Sequence, residues 1–123
     1  MLKNLKAKNV PMAVVTGGNK KRVEATIAEY LDGYFNAFVT IDDVSQGKPH
    51  PEPFLKGAEK LNLKPEECIV VENAPLGIKA ACAAGTTVIA VKTTLTDEYL
   101  SQADYILDDF KTVEKTINQL MAG

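Results

Sequence analysis

The run Cys68-Ile69-Val70-Val71-Glu72-Asn73-Ala74-Pro75-Leu76-Gly77 decides how the rest of the chain is read. It is short, apolar and β-branched, and it stops on an acid and an amide. Such a run between turn signals predicts a buried parallel strand. Pro75 suits the first turn of a following helix, where its missing N–H has no intrahelical partner to lose. Glu72 and Asn73 therefore stand at the carboxyl end of a strand. In an open α/β sheet that edge is where ligands bind, because helix N-termini and loop side chains converge on it. A carboxylate and an amide oxygen held together there suit a hard cation such as Mg²⁺, which takes oxygen ligands and keeps several waters. The two residues also fit a plainer role as caps of the next helix, since Asn is a favoured N-cap. The stretch alone leaves both open.

Working outward, Leu2 and Leu5 stand at helical spacing, and that helix runs out at Asn9-Val10-Pro11. Met12 to Thr16 reads as a strand. Gly17-Gly18-Asn19 reads as a turn into a helix with Val23, Ile27 and Leu31 on one face, closed by Asp32-Gly33. Phe38 to Ile41 is a second strand, and Asp42 to Pro53 a loop punctuated by Gly47, Pro49, Pro51 and Pro53. Phe54, Leu55, Ala58 and Leu61 give the next helix its apolar face. Downstream of the opening stretch, Pro75 to Ala84 is an Ala-rich helix able to lie close to a sheet, with Gly85 as its stop. Thr87 to Val91 is a strand, Thr96-Asp97-Glu98 a short helix start, and Tyr105 to Leu107 an edge strand. Asp108-Asp109 then caps a closing helix from Phe110 to Met121, with Val113, Ile117 and Leu120 inward. Alternating strands and helices on short loops predict an α/β domain, a three-layer Rossmann-like parallel sheet with helices on both faces.

A chain of 123 residues without repeat or linker is one domain. Hydrophobic content of 46% beside 24% charged residues is that of a soluble globular protein. No apolar run approaches the roughly 20 residues that span a bilayer, and the start lacks a secretion signal. A cytoplasmic protein with no membrane partner is expected. Net charge of -2, with no basic stripe, gives no purchase for nucleic acid. Cys68 and Cys82 have no metal-ligand spacing and are expected as reduced core residues.

Three features fall at or beyond strand ends. Thr16-Gly17-Gly18-Asn19 offers a hydroxyl and backbone N–H groups for a phosphate oxygen, although such a turn is often only a turn with an N-cap. Lys48, in Gly47-Lys48-Pro49, can neutralise a phosphoryl group as a point charge, although a lone Lys in a loop is ordinarily just solvated. Glu72-Asn73 can hold a cation that shares the phosphate.

In this order and wording the chain resembles the haloacid dehalogenase superfamily, most closely its β-phosphoglucomutase-like and sugar-phosphate phosphatase members. The resemblance is carried by Ala13-Val14-Val15-Thr16-Gly17-Gly18, by Gly47-Lys48-Pro49-His50-Pro51-Glu52-Pro53-Phe54, and by Val70 to Ala81 running on to Ala84-Gly85. It implies that Thr16, with the backbone of Gly17 and Gly18, binds the transferring phosphoryl group and that Lys48 steadies its charge. It also implies that Glu72 and Asn73 take the places of a Mg²⁺-binding acidic pair, that Lys48-Pro49 is cis, and that the substrate is a phosphorylated small molecule. Asn73 stands where members often have Asp. An amide brings an oxygen without charge, so weaker metal binding is expected.

The family's chemistry starts from an Asp-x-Asp motif, whose first Asp attacks phosphorus and whose second is the general acid and base. That motif and a cap domain precede the segments matched here, and neither is present in this sequence. Asp42-Asp43 and Asp108-Asp109 lack its form. The resemblance thus implies the C-terminal part of a core domain, residues 1 to 123, without a cap and inactive alone. The missing strand would be central, between those ending at Thr16 and Glu72. Unpaired strand edges are therefore expected, filled by a homo-oligomer or a complementing N-terminal segment, or else closed up. A non-catalytic binding or assembly module is the alternative. A receiver-type signalling domain is disfavoured, because there the acidic pocket precedes the Thr and Lys along the chain.

Overall fold

The computed structural model describes residues 2–18, 21, 25, 33–91, 102–107 and 111–122. Helix α1 (Leu2–Ala7) leads into strands β1 (Ala13–Val15) and β2 (Ala37–Val39). Helix α2 (Glu52–Lys60), strand β3 (Ile69–Glu72), helix α3 (Pro75–Ala84), strands β4 (Thr87–Val91) and β5 (Tyr105–Leu107) and helix α4 (Lys111–Ala122) follow. The expected helix bearing Val23, Ile27 and Leu31, the helix start at Thr96 and the Asp108-Asp109 cap lie outside the described residues.

All strand pairs are parallel, but the sheet is in two pieces. β1 pairs with β2, and β3, β4 and β5 form a second sheet in that order. Among the described residues β1 and β3 have not closed up on one another. What joins the pieces is packing: α2 lies on β1, β2 and α3, and α3 lies on β3 and β4. β4 shows the layering most plainly, because successive side chains of a strand point to opposite faces. Val88 and Ala90 join a core with Phe54, Ile78 and Ala81, against which Val15 and Val70 also pack. Ile89 and Val91 join a core with Leu5, Met12, Val113 and Ile117. Helices cover both faces, as an α/β sheet requires.

Helix α3 runs over the residues expected. Pro75 opens it, Gly85 closes it at φ +86°, and Ala80 and Ala81 are fully buried. Other expectations need correcting. α2 starts at Glu52, inside the expected loop, with Pro51 as N-cap. Its inward face is Pro53, Phe54, Gly57 and Ala58, while Leu55 is exposed. Leu55 is one residue, about 100°, round from Phe54, whereas Gly57 and Ala58 are three and four on. β2 ends at Val39, because Thr40 caps a 3-10 turn over Ile41–Asp43 instead of continuing the strand. β3 is not the buried strand expected. Val71 is 37% exposed, and among the described residues β3 pairs with β4 alone. The two cysteines are free and half-buried rather than core residues. Cys68 sits just ahead of β3, and Cys82 packs at the margin of the first core. No helix among the described residues is long and apolar enough to cross a membrane.

Candidate active site

The loop after β1 is tied to the loop after β2. The Gly18 N–H donates to Thr16 Oγ1 at 3.1 Å, closing a small turn beyond the strand. Thr16 N–H donates to Val39 O at 2.9 Å, and Ile41 N–H to Gly18 O at 3.1 Å. Ile41 is fixed in turn by the capping box at Thr40. Asp43 Oδ2 accepts the Thr40 N–H at 2.8 Å and lies 3.2 Å from Thr40 Oγ1, with Lys60 Nζ 3.5 Å away. The hydrogen bond from the Thr40 backbone, helped by the Lys60 charge, holds the Asp43 carboxyl below the ordinary range. Asp43 thus caps the turn whose Ile41 N–H holds Gly18 O, and so supports the Thr16–Gly18 loop.

Lys48 comes from the cis Lys48-Pro49 loop. Glu52, in the first turn of α2, shapes that loop: its Oε1 and Oε2 accept the N–H groups of Ser45 at 2.8 Å and Gln46 at 2.9 Å. Those bonds, Ser45 first, lower the Glu52 carboxyl pKa. The Lys48 ammonium passes over the Phe54 ring, 5.0 Å from its centre, and donates to Val15 O at 3.3 Å and Glu72 Oε2 at 3.0 Å. Lys48 and Glu72 are only 21% and 13% exposed, so the pair is largely out of water. Glu72 Oε1 accepts the Asn73 and Ala74 N–H groups at 3.0 and 3.3 Å.

Lys48 joins the ends of the two strands that carry the other expected features. Lys48 spans the end of the gap between the two sheets, touching the residue before Thr16 on one side and Glu72 on the other. Gly17 and Asn73 are exposed at the same edge. Asn73 is not the N-cap of α3. That position belongs to Ala74, which makes no side-chain cap bond, and Glu72 supplies the carboxylate there. Sequence reading gave Glu52 and Asp43 no role. Thr40-Ile41-Asp42-Asp43 does carry the signature of a capping box, an acid three residues after a Thr, and that was the signal available for Asp43.

Comparison with known proteins accords with this geometry. A profile of the haloacid dehalogenase-like hydrolases matches residues 1–85. Hexitol phosphatase A of Escherichia coli is 35% identical over 116 residues, which are 94% of this chain and 54% of that protein. The fructose-1-phosphate phosphatase of Escherichia coli is 42% identical over 83 residues, 67% of this chain and 44% of that protein. The crystal structure of a candidate β-phosphoglucomutase from Thermotoga maritima superposes with a TM-score of 0.86 at 29% identity, over 96% of this chain and 56% of that one. The chain thus spans about half the length of the relatives it matches. With the profile running through the Thr16, Lys48 and Glu72 segments, and with the parallel α/β core in common, the chain belongs to the haloacid dehalogenase-like hydrolases.

Proposed function

We propose that this chain is the phosphate- and metal-binding half of the core of a Mg²⁺-dependent phosphatase or phosphomutase that acts on a phosphorylated small molecule. The observation that carries the reading is the position of Lys48, whose ammonium links Val15 O and Glu72 Oε2 across the ends of two strands. Thr16 Oγ1 and the Gly17 backbone bind the phosphoryl oxygens, with the Gly18 N–H holding the Thr16 hydroxyl in place, and Lys48 offsets the charge gathering on them. Relatives named as hexitol and fructose-1-phosphate phosphatases support a sugar-phosphate-like substrate.

Glu72 and Asn73 have the donor chemistry for Mg²⁺, a carboxylate and an amide oxygen at one strand end. They are part of a shell. Among the described residues no group of three or more His, Cys, Asp or Glu could hold a metal. Water and substrate oxygens would complete the shell. Bound there, Mg²⁺ supplies Lewis-acid stabilisation of the phosphoryl charge.

On this reading the attacking carboxylate is none of the residues placed above, Thr16, Lys48, Glu72 and Asn73, and the chain by itself is expected to be inactive. The test is turnover of p-nitrophenyl phosphate with and without Mg²⁺, beside Lys48→Ala, together with melting in Mg²⁺ and orthophosphate. The expected result is no turnover but a ligand-induced rise in melting temperature. Mg²⁺-dependent turnover abolished by Lys48→Ala would overturn the statement about the nucleophile, and an unchanged melting temperature would overturn the binding site.

Among the described residues β1 and β3 each keep an edge with no strand on it, which favours a second reading, that the chain completes its sheet by assembly, with a second copy or with a separate N-terminal segment. Sedimentation velocity decides this: a strictly monomeric species whose edge amides are protected from exchange removes it.

A further inference from the structure

Glu72 does not reach straight out from β3. Its carboxylate folds back over the first turn of α3, held by the Asn73 and Ala74 N–H groups and by Lys48. Beneath it lies Gly77, buried inside α3. A Cβ on Gly77 would stand 2.2 Å from Glu72 Oε2, 2.3 Å from Cδ and 2.6 Å from Cγ, far inside any non-bonded contact. The helix itself gives no reason for a glycine here. Gly77 is not among the residues with positive φ, which in α3 falls to Gly85 at the stop, and glycine is among the poorest helix formers. The vacancy where a side chain would be is filled by the Glu72 carboxylate.

We infer that Gly77 is a positioning residue: its bare Cα is the seat on which the Glu72 carboxylate rests, and that seat keeps Lys48 at the end of β1. The consequence for ligand binding rests on the function proposed above, whereas the seat is a property of the free protein. The atoms a Cβ would strike are the far end of a flexible side chain. Gly77→Ala therefore swings Glu72 away instead of breaking α3, and it is position rather than folding that is lost.

Amide hydrogen exchange of the free protein tests this directly. Gly77→Ala should speed exchange at Asn73 and Ala74 by about tenfold, the effect of losing one hydrogen bond. It should also abolish the melting rise that MgCl₂ with orthophosphate gives the parent. In a Glu72→Ala background Gly77→Ala should change the exchange of neither amide. Unchanged exchange at both amides in the single variant overturns the inference. Should Gly77→Ala fail to fold, recovery of folding in Glu72→Ala/Gly77→Ala assigns the clash to Glu72, and continued unfolding assigns Gly77 to packing and overturns it. A parent whose melting ignores MgCl₂ and orthophosphate counts against the functional reading, while the exchange data still decide the seat.

Discussion

Lys48 and Glu72, separated by 24 residues of sequence, meet at 3.0 Å across the end of the gap between the two sheets, with both side chains mostly out of water. Removing one partner of such a pair leaves the other desolvated and underpaired, so the cost exceeds what the pair itself contributes. Lys48→Ala should lower unfolding free energy by about 1–3 kcal/mol, because Glu72 keeps only its two backbone N–H donors. Urea denaturation measures this, and the melting response to Mg²⁺ with orthophosphate should vanish in the same variant.

Asn73 brings an oxygen but no charge to the edge where Glu72 supplies one carboxylate. Asn73→Asp adds a second, and hard cations are bound more tightly as ligand charge rises. The midpoint of a Mg²⁺ titration followed by melting temperature should move to lower concentration. An unmoved midpoint places the cation elsewhere.

Glu52 and Asp43 carry the acid sensitivity of the site's supports. Both carboxyl groups have lowered pKa values in the folded protein, Glu52 mainly through the Ser45 N–H and Asp43 mainly through the Thr40 N–H. A group whose pKa is lower folded than unfolded stabilises the fold above its unfolded pKa and loses that contribution as pH falls through the folded one. Urea midpoints should therefore hold steady from neutral pH down to about 4.5 and decline below it. Glu52→Gln should make that decline shallower.

Ile78 is 1% exposed and lies in the core shared by α2, α3 and β4. Ile78→Val should cost about 0.5–1.5 kcal/mol and Ile78→Ala about 2–5 kcal/mol, measured by urea denaturation. The second is a large fraction of the roughly 5–15 kcal/mol by which a domain is ordinarily stable.

Gly85 holds φ +86°, and a Cβ there would meet nothing within 4 Å. Steric crowding is thus removed from the comparison, and Gly85→Ala should cost only the backbone penalty of the left-handed region, about 1–2 kcal/mol in thermal or urea unfolding. It should leave the ligand response intact, unlike Gly77→Ala.

The parts of the fold legible in sequence are those whose signals are local. α3 was readable because Pro75 and Gly85 punctuate both ends, and β4 because Thr87 to Val91 is an apolar run too short for a helix. Thr16, Lys48 and Glu72 were readable as candidates from their place beyond strand ends. What could not be read depends on tertiary path. Ser45 and Gln46 meet Glu52 only once the loop turns back on α2, and Gly77 has meaning only once Glu72 has chosen its rotamer. Leu55 reads as inward by apolar character alone, and Phe54 already holds the inward direction. Val71 looked buried because a β-branched run ordinarily has a strand on each side.

The division of the sheet has a mechanical consequence. Backbone ladders carry cooperativity from strand to strand, and among the described residues no ladder joins β1 to β3. The half bearing Thr16 to Gly18 is held to the rest through α2, the shared side-chain core and the Lys48 ammonium. Such a seam, held by side chains alone, is where partial opening is expected to be less costly than complete unfolding. On the function proposed above, the Thr16 to Gly18 loop lies on one side of that seam and Glu72 on the other, and a ligand that bridges them would act as the missing rung between the two halves.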